Sequence, residues 1–241
     1  MFWSGRQLEQ EPFHGAALHL IRRQIHFGLL LPEEQLPPER KVAETLGISR
    51  VTLREAFKVL EDRGYIISKR GQKRGTFVSS APRLNEIASR GLLEDPGTAW
   101  RLLEYLKANL IAASELACER RSPGDLSVLD GVAEKLRSTT SGPEMRGVRY
   151  SFFSAIGRAS TNTFFLDSFN LSLDSLFYPI PDHRLPTTFE LNALAFRQII
   201  ESLKCRDKAA AEKGCMTILD EMASSVNDTI ANWTHAASAR N

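Results

Sequence analysis

The sequence predicts a mainly α-helical protein in two parts: residues 1–80, with three helices and a β-hairpin, and residues 83–241, with helices alone. Two observations predict this division. Apolar residues recur at helical spacing almost throughout, and the signs of a hairpin appear only once, near residues 65–78. Basic residues are also unevenly distributed, because residues 39–75 contain 10 Lys and Arg against 5 Asp and Glu. Such a local excess of positive charge is typical of a surface that binds phosphate groups.

The first three predicted helices are short and have clear ends. The first covers residues 13–28 and ends at Gly28, before Pro32. The second begins at Pro37-Pro38-Glu39, where a proline in the first turn costs no hydrogen bond, and Gly47 supplies the turn after it. Ser49 is a good N-cap for the third, which runs to about Arg63.

A hairpin follows the third helix. The runs 65–67 and 76–78 have the β-branched and aromatic composition of strands, and the polar turn 69–75 between them contains two glycines. Three helices and a hairpin in this order predict a winged helix-turn-helix. Residues 79–82, Ser-Ser-Ala-Pro, are expected to form a linker to the second domain.

Only helical periodicity is found after Arg83, which predicts an all-α bundle of about six helices. Prolines at 179, 181 and 186 predict a rigid loop before the fifth of them, and Thr187-x-x-Glu190 is expected to form its capping box. The predicted helices cover residues 97–121, 122–138, 144–159, 162–177, 187–203 and 207–233.

Composition excludes several classes of protein. No window of about 18 residues is apolar and free of charge, so no membrane-spanning helix is expected. The polar N-terminus lacks a signal-peptide pattern, so a cytoplasmic protein is expected. Cys118, Cys205 and Cys215 form no CxxC pair and are interpreted as reduced. No nucleophile with a base, metal cluster or glycine-rich phosphate loop is found, so an enzyme is not expected.

The stretch from Leu36 to Val78, LPPERKVAETLGISRVTLREAFKVLEDRGYIISKRGQKRGTFV, resembles the GntR family of bacterial regulators. The segment FFSAIGRASTN (152–162) and the helix count are similar to the FadR-like branch of that family. The resemblance implies a sequence-specific regulator that binds double-stranded DNA. It also implies that residues 83–241 bind an effector and form the contacts of a homodimer.

The DNA-binding residues are expected on the third helix, on the second helix and in the wing. Arg50, Thr52 and Arg54 lie on the outward side of the third helix, where arginine can bond guanine in the major groove. Val51 could touch a thymine methyl group. The resemblance implies that Arg40 and Arg50 or Arg54 share base and phosphate contacts. The complete predicted set is Arg40, Ser49, Arg50, Val51, Thr52, Arg54, Lys69, Arg70, Gly71, Lys73, Arg74 and Gly75.

Many FadR-like domains hold a divalent metal with one Asp and three His, and the resemblance places those ligands at Arg149, Phe153, Phe196 and Ile218. None of these side chains is expected to bind a metal ion, so no metal and no other cofactor is predicted. The five histidines of the chain, residues 14, 19, 26, 183 and 235, are scattered and are interpreted as surface or packing residues.

Two interpretations of the aromatic-rich bundle remain open. Its phenylalanines are either a packed core or the lining of an apolar ligand cavity. For the second case the predicted effector residues are Arg149, Tyr150, Phe153, Tyr178, Phe196 and Arg197. An arginine suits a carboxylate, so the expected effector is an organic acid or an acyl-CoA bound without metal.

The sequence therefore predicts a homodimeric transcriptional regulator, by default a repressor, whose two winged helices read the halves of a palindromic operator. Effector binding would alter the affinity for the operator. The alternatives are a DNA-binding dimer without an effector and, less favoured, an RNA-binding protein, which would need an aromatic stacking platform beside the basic residues.

Overall fold

The computed structural model describes residues 13–71 and 74–238. It confirms a mainly helical chain with a single hairpin after the third helix. The elements are α1 (Phe13–His26), α2 (Glu39–Leu46), α3 (Arg50–Asp62), β1 (Ile66–Lys69), β2 (Gly75–Val78), α4 (Ala81–Glu94), α5 (Pro96–Arg120), α6 (Pro123–Leu136), α7 (Gly142–Ala159), α8 (Phe164–Ser175), a 3-10 turn (Asp182–Arg184), α9 (Leu185–Cys205) and α10 (Lys208–Ser238).

The ends of α2 and α3 are fixed by the residues that the sequence indicates. Gly47 ends α2 with a φ of 65°, in the left-handed region that favours glycine. Ser49 caps α3, because its side chain accepts a hydrogen bond from the Thr52 N–H at 3.0 Å. The inward side of α3 consists of Leu53, Ala56, Phe57 and Leu60, which are all buried.

The strands of the wing extend further than expected. Strands β1 and β2 pair antiparallel from Ile66 opposite Val78 to Lys69 opposite Gly75, so Lys69 and Gly75, which were predicted in the turn, belong to the strands. Residues 33–36 also lie along β2, which the sequence did not predict: the Leu36 N–H donates to the Thr76 carbonyl oxygen at 2.9 Å. This segment is short and bounded by Pro32 and Pro37, so it lacks the pattern of a strand.

The expected linker at residues 79–82 is wrong, because α4 begins at Ala81. Pro82 lies in its first turn, where a missing N–H is harmless. Leu84 and Ala88 pack into the core of the N-terminal domain, whereas Leu92 packs into the core of the helical domain. Helix α4 therefore joins the two cores.

The capping box expected at Thr187 and Glu190 is also wrong. Thr187 lies inside α9, which begins at Leu185 directly after the 3-10 turn. Pro186 starts this helix instead of ending the loop. A capping box does form at Ser122 and Asp125, at the start of α6.

The core of the helical domain lies between α5, α7, α9 and α10. Leu106, Leu110 and Phe152 are fully buried in it. In the described part of the chain, no helix combines the length and the apolar character needed to cross a bilayer.

The two domains touch backbone to backbone between α1 and α7. Gly28, at the end of α1, has a φ of 66°, and a Cβ added to it would lie 2.0 Å from the Pro143 carbonyl oxygen. A Cβ added to Gly147 would lie 2.8 Å from the Gly28 carbonyl oxygen. Beside this contact, the Phe27 and Tyr150 rings stack with their centroids 4.2 Å apart. Neither glycine can be replaced without separating the two segments.

Candidate DNA-binding surface and effector region

The start of α3 presents polar and apolar groups to solvent. Arg50 is exposed, and Val51 is 67% exposed although it is apolar. The Ser49 and Thr52 hydroxyl oxygens lie 2.9 Å apart and hydrogen-bond to each other. The outward side of α3 is thus the one that the sequence predicts, and its first turn combines a cation, an exposed methyl-bearing side chain and free N–H groups.

Arg54 and Arg40 each form an exposed ion pair. The Arg54 Nε donates to Oε2 of Glu39 at 2.8 Å, which joins α3 to the first turn of α2. The Arg40 Nη1 donates to Oε1 of Glu44 at 3.3 Å. Exposed pairs of this kind contribute about 0–1 kcal/mol to stability. Both guanidinium groups can therefore exchange a carboxylate for a phosphate or a base edge at small cost.

The wing carries the second group of cations. The Lys69 ammonium lies 4.7 Å from the centroid of the Phe77 ring, and Arg70 and Arg74 are exposed. Gly71 has a φ of 89°, in the left-handed region. Gly75 has a φ of 154°, which residues with a side chain rarely adopt, and an added Cβ would displace the exposed Gln35 side chain. Lys73, which belongs to the predicted set, lies outside the described residues.

One cleft brings the wing and α2 together. Glu39 lines it with Lys69, Arg70 and Arg74. Glu39 therefore binds Arg54 of α3 and lines the same cleft as the cations of the wing. Glu39 carries no sequence signal of this role, because an acidic residue in the first turn of a helix has an ordinary explanation in the helix dipole.

A buried polar network surrounds Arg149 in the helical domain. Its Nη1 donates to the Tyr178 hydroxyl oxygen at 3.1 Å and its Nε to the Asn192 side-chain oxygen at 3.3 Å. Its Nη2 binds Oε2 of Glu221. The other oxygen of Glu221 accepts from the Thr188 hydroxyl at 2.7 Å and from the Ser225 hydroxyl at 2.8 Å.

The charges of this network support each other. Burial lowers the pKa of Arg149, but the Glu221 carboxylate and the Tyr178 hydroxyl raise it overall. Burial raises the pKa of Glu221, but Arg149 and the hydrogen bonds to Glu221 lower it overall. Burial raises the pKa of Tyr178 to about 12. Arg149 and Glu221 are therefore both ionised at neutral pH, and Tyr178 is neutral.

The predicted effector residues separate into three environments. Arg149 and Tyr178 belong to the buried network, and Tyr150 stacks on Phe27 at the domain junction. Phe196 is fully buried, with its ring centroid 3.7 Å from that of Phe152, and Phe153 is fully buried beside Phe169. Both are core residues in this structure.

Arg197 lies apart from all of these residues. It is exposed on α9 and lines an open groove of about 550 Å³ between α6 and α9, together with Glu134, Arg137 and Glu190. The structure does not bring Arg197 together with Arg149. Successive helix residues point in different directions, so Phe196 is in the core while its neighbour is in solvent.

The four positions at which the resemblance placed metal ligands hold side chains unsuited to a cation. Phe153, Phe196 and Ile218 are fully buried and apolar, and Arg149 is itself a cation. Within residues 15–71 and 74–232, no three His, Cys, Asp or Glu side chains are grouped as a metal site requires. The donor set does not fit a divalent metal.

A second polar cluster joins the two domains at His26. The His26 Nδ1 lies 2.8 Å from Oδ1 of Asp174, and its Nε2 lies 3.0 Å from the Tyr65 hydroxyl oxygen. Arg22 donates to the other oxygen of Asp174 at 2.8 Å. The His26 ring stacks on Phe177. His26 was predicted only as a surface or packing residue, since a lone histidine on an apolar helix face carries no signal of a partner 148 residues away.

Comparison with known proteins gives two matches to family models and one informative solved structure. Residues 15–78 match the model described as "Bacterial regulatory proteins, gntR family", and residues 111–221 match the FCD domain. The E. coli protein McbR/YncC has a TM-score of 0.52 and 18% identity, covering 92% of this chain and 99% of its own, which shows the shared fold.

Two curated relatives are similar over part of their length. The putative HTH-type transcriptional regulator RmpR of Mycobacterium gastri is 34% identical over 50% of this chain and 45% of its own. The HTH-type transcriptional repressor NagR of Bacillus subtilis is 35% identical over 39% of this chain and 40% of its own. The matches thus span less than half of each of these relatives. The families and relatives found are transcriptional regulators and not enzymes.

Proposed function

Because the chain belongs to the gntR family of bacterial regulatory proteins and carries an FCD domain, we propose that it is a dimeric repressor that binds a palindromic operator and is controlled by a small organic anion. The observation that carries the proposal is the exposed start of α3. Arg50 and Val51 face solvent there, and Arg54 is restrained only by an exposed ion pair. A cytoplasmic location follows from this function, because the operator is chromosomal DNA.

The proposed contacts follow from the geometry of α3 and the wing. With α3 in the major groove, its first two turns present Arg50, Val51 and Arg54 to the base edges. Bidentate contact of an arginine with guanine contributes about 1–3 kcal/mol of discrimination. Lys69, Arg70 and Arg74 then follow the DNA backbone or the minor groove beside it.

Exposed apolar residues on α8 support the proposed homodimer. Phe164 is 79% exposed and Leu171, two turns further on the same face, is 58% exposed. Tyr105 on α5, the helix that packs beside α8, is 44% exposed. Apolar residues repeated along one helix face are typical of a protein contact. Two copies joined there would present two copies of α3, as a palindrome requires.

The effector is proposed to bind without metal, because the family's metal positions hold Arg149 and three apolar side chains. An organic acid or an acyl-CoA has the anionic group that buried arginines favour. Repression is proposed because the relative NagR is a transcriptional repressor and because an effector that alters the position of α3 releases DNA most simply.

The test is selection of duplexes from a randomised DNA library, followed by fluorescence anisotropy with the selected sequence and a scrambled one. We expect an inverted repeat to be enriched, and we expect its affinity to fall steeply between 50 and 200 mM salt, by roughly 10³-fold or more. Arg50→Ala should lose this preference, whereas Arg137→Ala, at the exposed C-cap of α6 in the helical domain, should keep it. No enrichment of any sequence, or equal affinity for scrambled DNA, would rule out the proposed function.

A further inference from the structure

Arg146 on α7 is a half-buried cation that forms no ion pair within the described part of the chain. Its Nε and Nη1 are shielded from solvent, and neither has a hydrogen-bond partner among the described residues. Its one described contact is with the Phe177 ring, whose centroid lies 5.0 Å from the guanidinium carbon. Burial lowers the pKa of Arg146 to about 10, so the group remains charged at neutral pH.

The neighbouring cations already have their counterions. Arg149 is paired with Glu221, and Arg22 is paired with Asp174. Arg184 also has buried Nε, but its Nη1 binds Asp228 at 2.5 Å. In the described part of the chain, Arg146 is the member of this group that forms no ion pair. A charge that is shielded from water and has no counterion is costly. An anion that pairs with it therefore recovers much of that free energy.

A crevice lies beside Arg146, at the junction of the two domains. His26 and Phe27 from the end of α1 form one wall. Tyr150, Tyr178 and Met222 from the helical domain form the other. The free space is about 20 Å³, which is slightly more than one water molecule requires. In this arrangement the crevice holds about one water molecule, so a carboxylate or phosphate group enters it only when α1 moves away from α7.

We propose that Arg146 is the cation of an anion-binding site at this junction, which takes the carboxylate or phosphate end of a small ligand. Arg149 and Tyr178 also line the crevice, but the guanidinium of Arg149 already uses all three nitrogens within the protein, which leaves Arg146 as the cation for an anion. Anion and guanidinium would form paired, charge-assisted hydrogen bonds. Tyr150 also lines the crevice.

The position of the site gives it a consequence for the N-terminal domain. The crevice is walled by His26 and Phe27, so its occupant touches α1 directly. Phe177, which packs against Arg146, also stacks on His26 with centroids 4.0 Å apart. An anion that draws the guanidinium away from Phe177 changes the surface on which α1 rests. This step rests on the proposed function, whereas anion binding itself requires no DNA.

The experiment measures anion binding to the full chain in the absence of DNA. Thermal unfolding is followed with sodium acetate, sodium phosphate and sodium chloride at equal ionic strength. Ligand-observed NMR of acetate, with phosphate as competitor, measures binding directly. The variants are Arg146→Gln and, as a matched control, Arg137→Gln on the exposed face of α6.

We expect acetate or phosphate to raise the Tm of the wild-type protein by about 2 °C or more over chloride, which corresponds to binding at several times Kd. The rise should persist in Arg137→Gln and be absent in Arg146→Gln. The acetate arm and the phosphate arm show which anion the site prefers. Phosphate should displace acetate only if both occupy this site.

Two results would overturn the proposal. One is an equal response of the wild type and of Arg146→Gln to all three salts. The other is an Arg146→Gln protein that is much less stable than the wild type in chloride. That result would mean that the contact with the Phe177 ring stabilises the guanidinium without any anion. Loss of sequence-specific DNA binding leaves both readouts intact, so failure of the proposed function is distinguishable from failure of the anion site.

Discussion

His26 and Phe177 lie face to face across the domain junction, with ring centroids 4.0 Å apart and planes inclined by 3°. His26 belongs to α1, and Phe177 to the loop after α8. The next residue along that loop, Tyr178, is hydrogen-bonded to Arg149 in the buried network. Two successive residues thus connect the interior of the helical domain to the helix on which α3 packs.

Phe177→Ala should weaken this junction strongly. Phe177 is 8% exposed, and truncation of a buried phenylalanine costs about 3–5 kcal/mol. We expect a clear fall in the free energy of unfolding in urea titrations, because the substitution removes the ring that contacts both His26 and Arg146. Leu194→Ala, at a position 54% exposed on α9, is the control and should change stability by less than about 1 kcal/mol. Equal effects of the two variants would contradict the assignment.

The junction should weaken in mild acid. Burial lowers the pKa of His26 below 6.5, although Asp174 opposes this shift. The unfolded chain therefore binds a proton more readily than the folded one, and stability falls as the pH drops below about 6.5. Asp174, whose pKa is lowered from 3.8 overall although burial opposes this, adds a further loss only below that value. Arg22 and Tyr65 also face His26, and burial raises the pKa of Tyr65 above 10, so the Tyr65 hydroxyl stays neutral in this range.

The measurement is the Tm at pH 7.5 and at pH 5.5 for the wild type and for His26→Gln. The wild type should lose more stability between the two values than the variant, because glutamine does not titrate. A variant that loses as much as the wild type would show that other groups govern the acid response.

Arg54→Ala should weaken operator binding by roughly tenfold or more, if each guanine contact contributes about 1–3 kcal/mol. Glu39→Gln should have the opposite sign. It removes a carboxylate that lies 2.8 Å from the Arg54 Nε and lines the cleft with Lys69 and Arg70, so affinity should rise. Anisotropy at 100 mM salt measures both, and weaker binding by Glu39→Gln would mean that the ion pair positions Arg54 for its contact.

Removing one partner of the Arg149–Glu221 pair should lower the free energy of unfolding more than removing both partners. Glu221→Gln leaves a buried guanidinium without a counterion, which costs about 3–5 kcal/mol. The double variant Arg149→Met, Glu221→Leu removes both charges and should be more stable than Glu221→Gln alone. Urea denaturation of Arg149→Met, of Glu221→Leu and of the double variant measures the interaction, and strictly additive losses would count against a direct pair.

A chelator should leave the Tm unchanged. The positions at which the family's metal ligands would lie hold Arg149, Phe153, Phe196 and Ile218, and three of these are apolar. Thermal unfolding with and without EDTA, after purification without added metal, makes the comparison. A substantial fall in Tm with EDTA would show that a metal is bound through other residues.

The sequence predicts the local elements of the N-terminal domain well, because their determinants are local. Ser49 caps α3 and Gly47 ends α2 through contacts within four residues. Predictions fail where proline is compatible with two structures. Pro82 and Pro186 were predicted in loops, but each lies in the first turn of a helix. Pairings of distant residues cannot be found in the same way. Glu221 binds Arg149, which lies 72 positions earlier in the chain. The only sequence feature that indicates this pair is the charge of Glu221 in an otherwise apolar helix stripe.

The backbone contact between Gly28 and Gly147 determines how the N-terminal domain is oriented on the helical domain. Because no side chain separates the two segments, the direction in which α3 points is set by the place where α7 meets the turn after α1. In the proposed dimer, the distance between the two halves of the operator is then a property of the helical domain and not of the residues that contact DNA. Substitutions on α3 would change which bases are recognised. Replacing Gly147 by a larger residue would change the spacing between the two half-sites that the dimer binds.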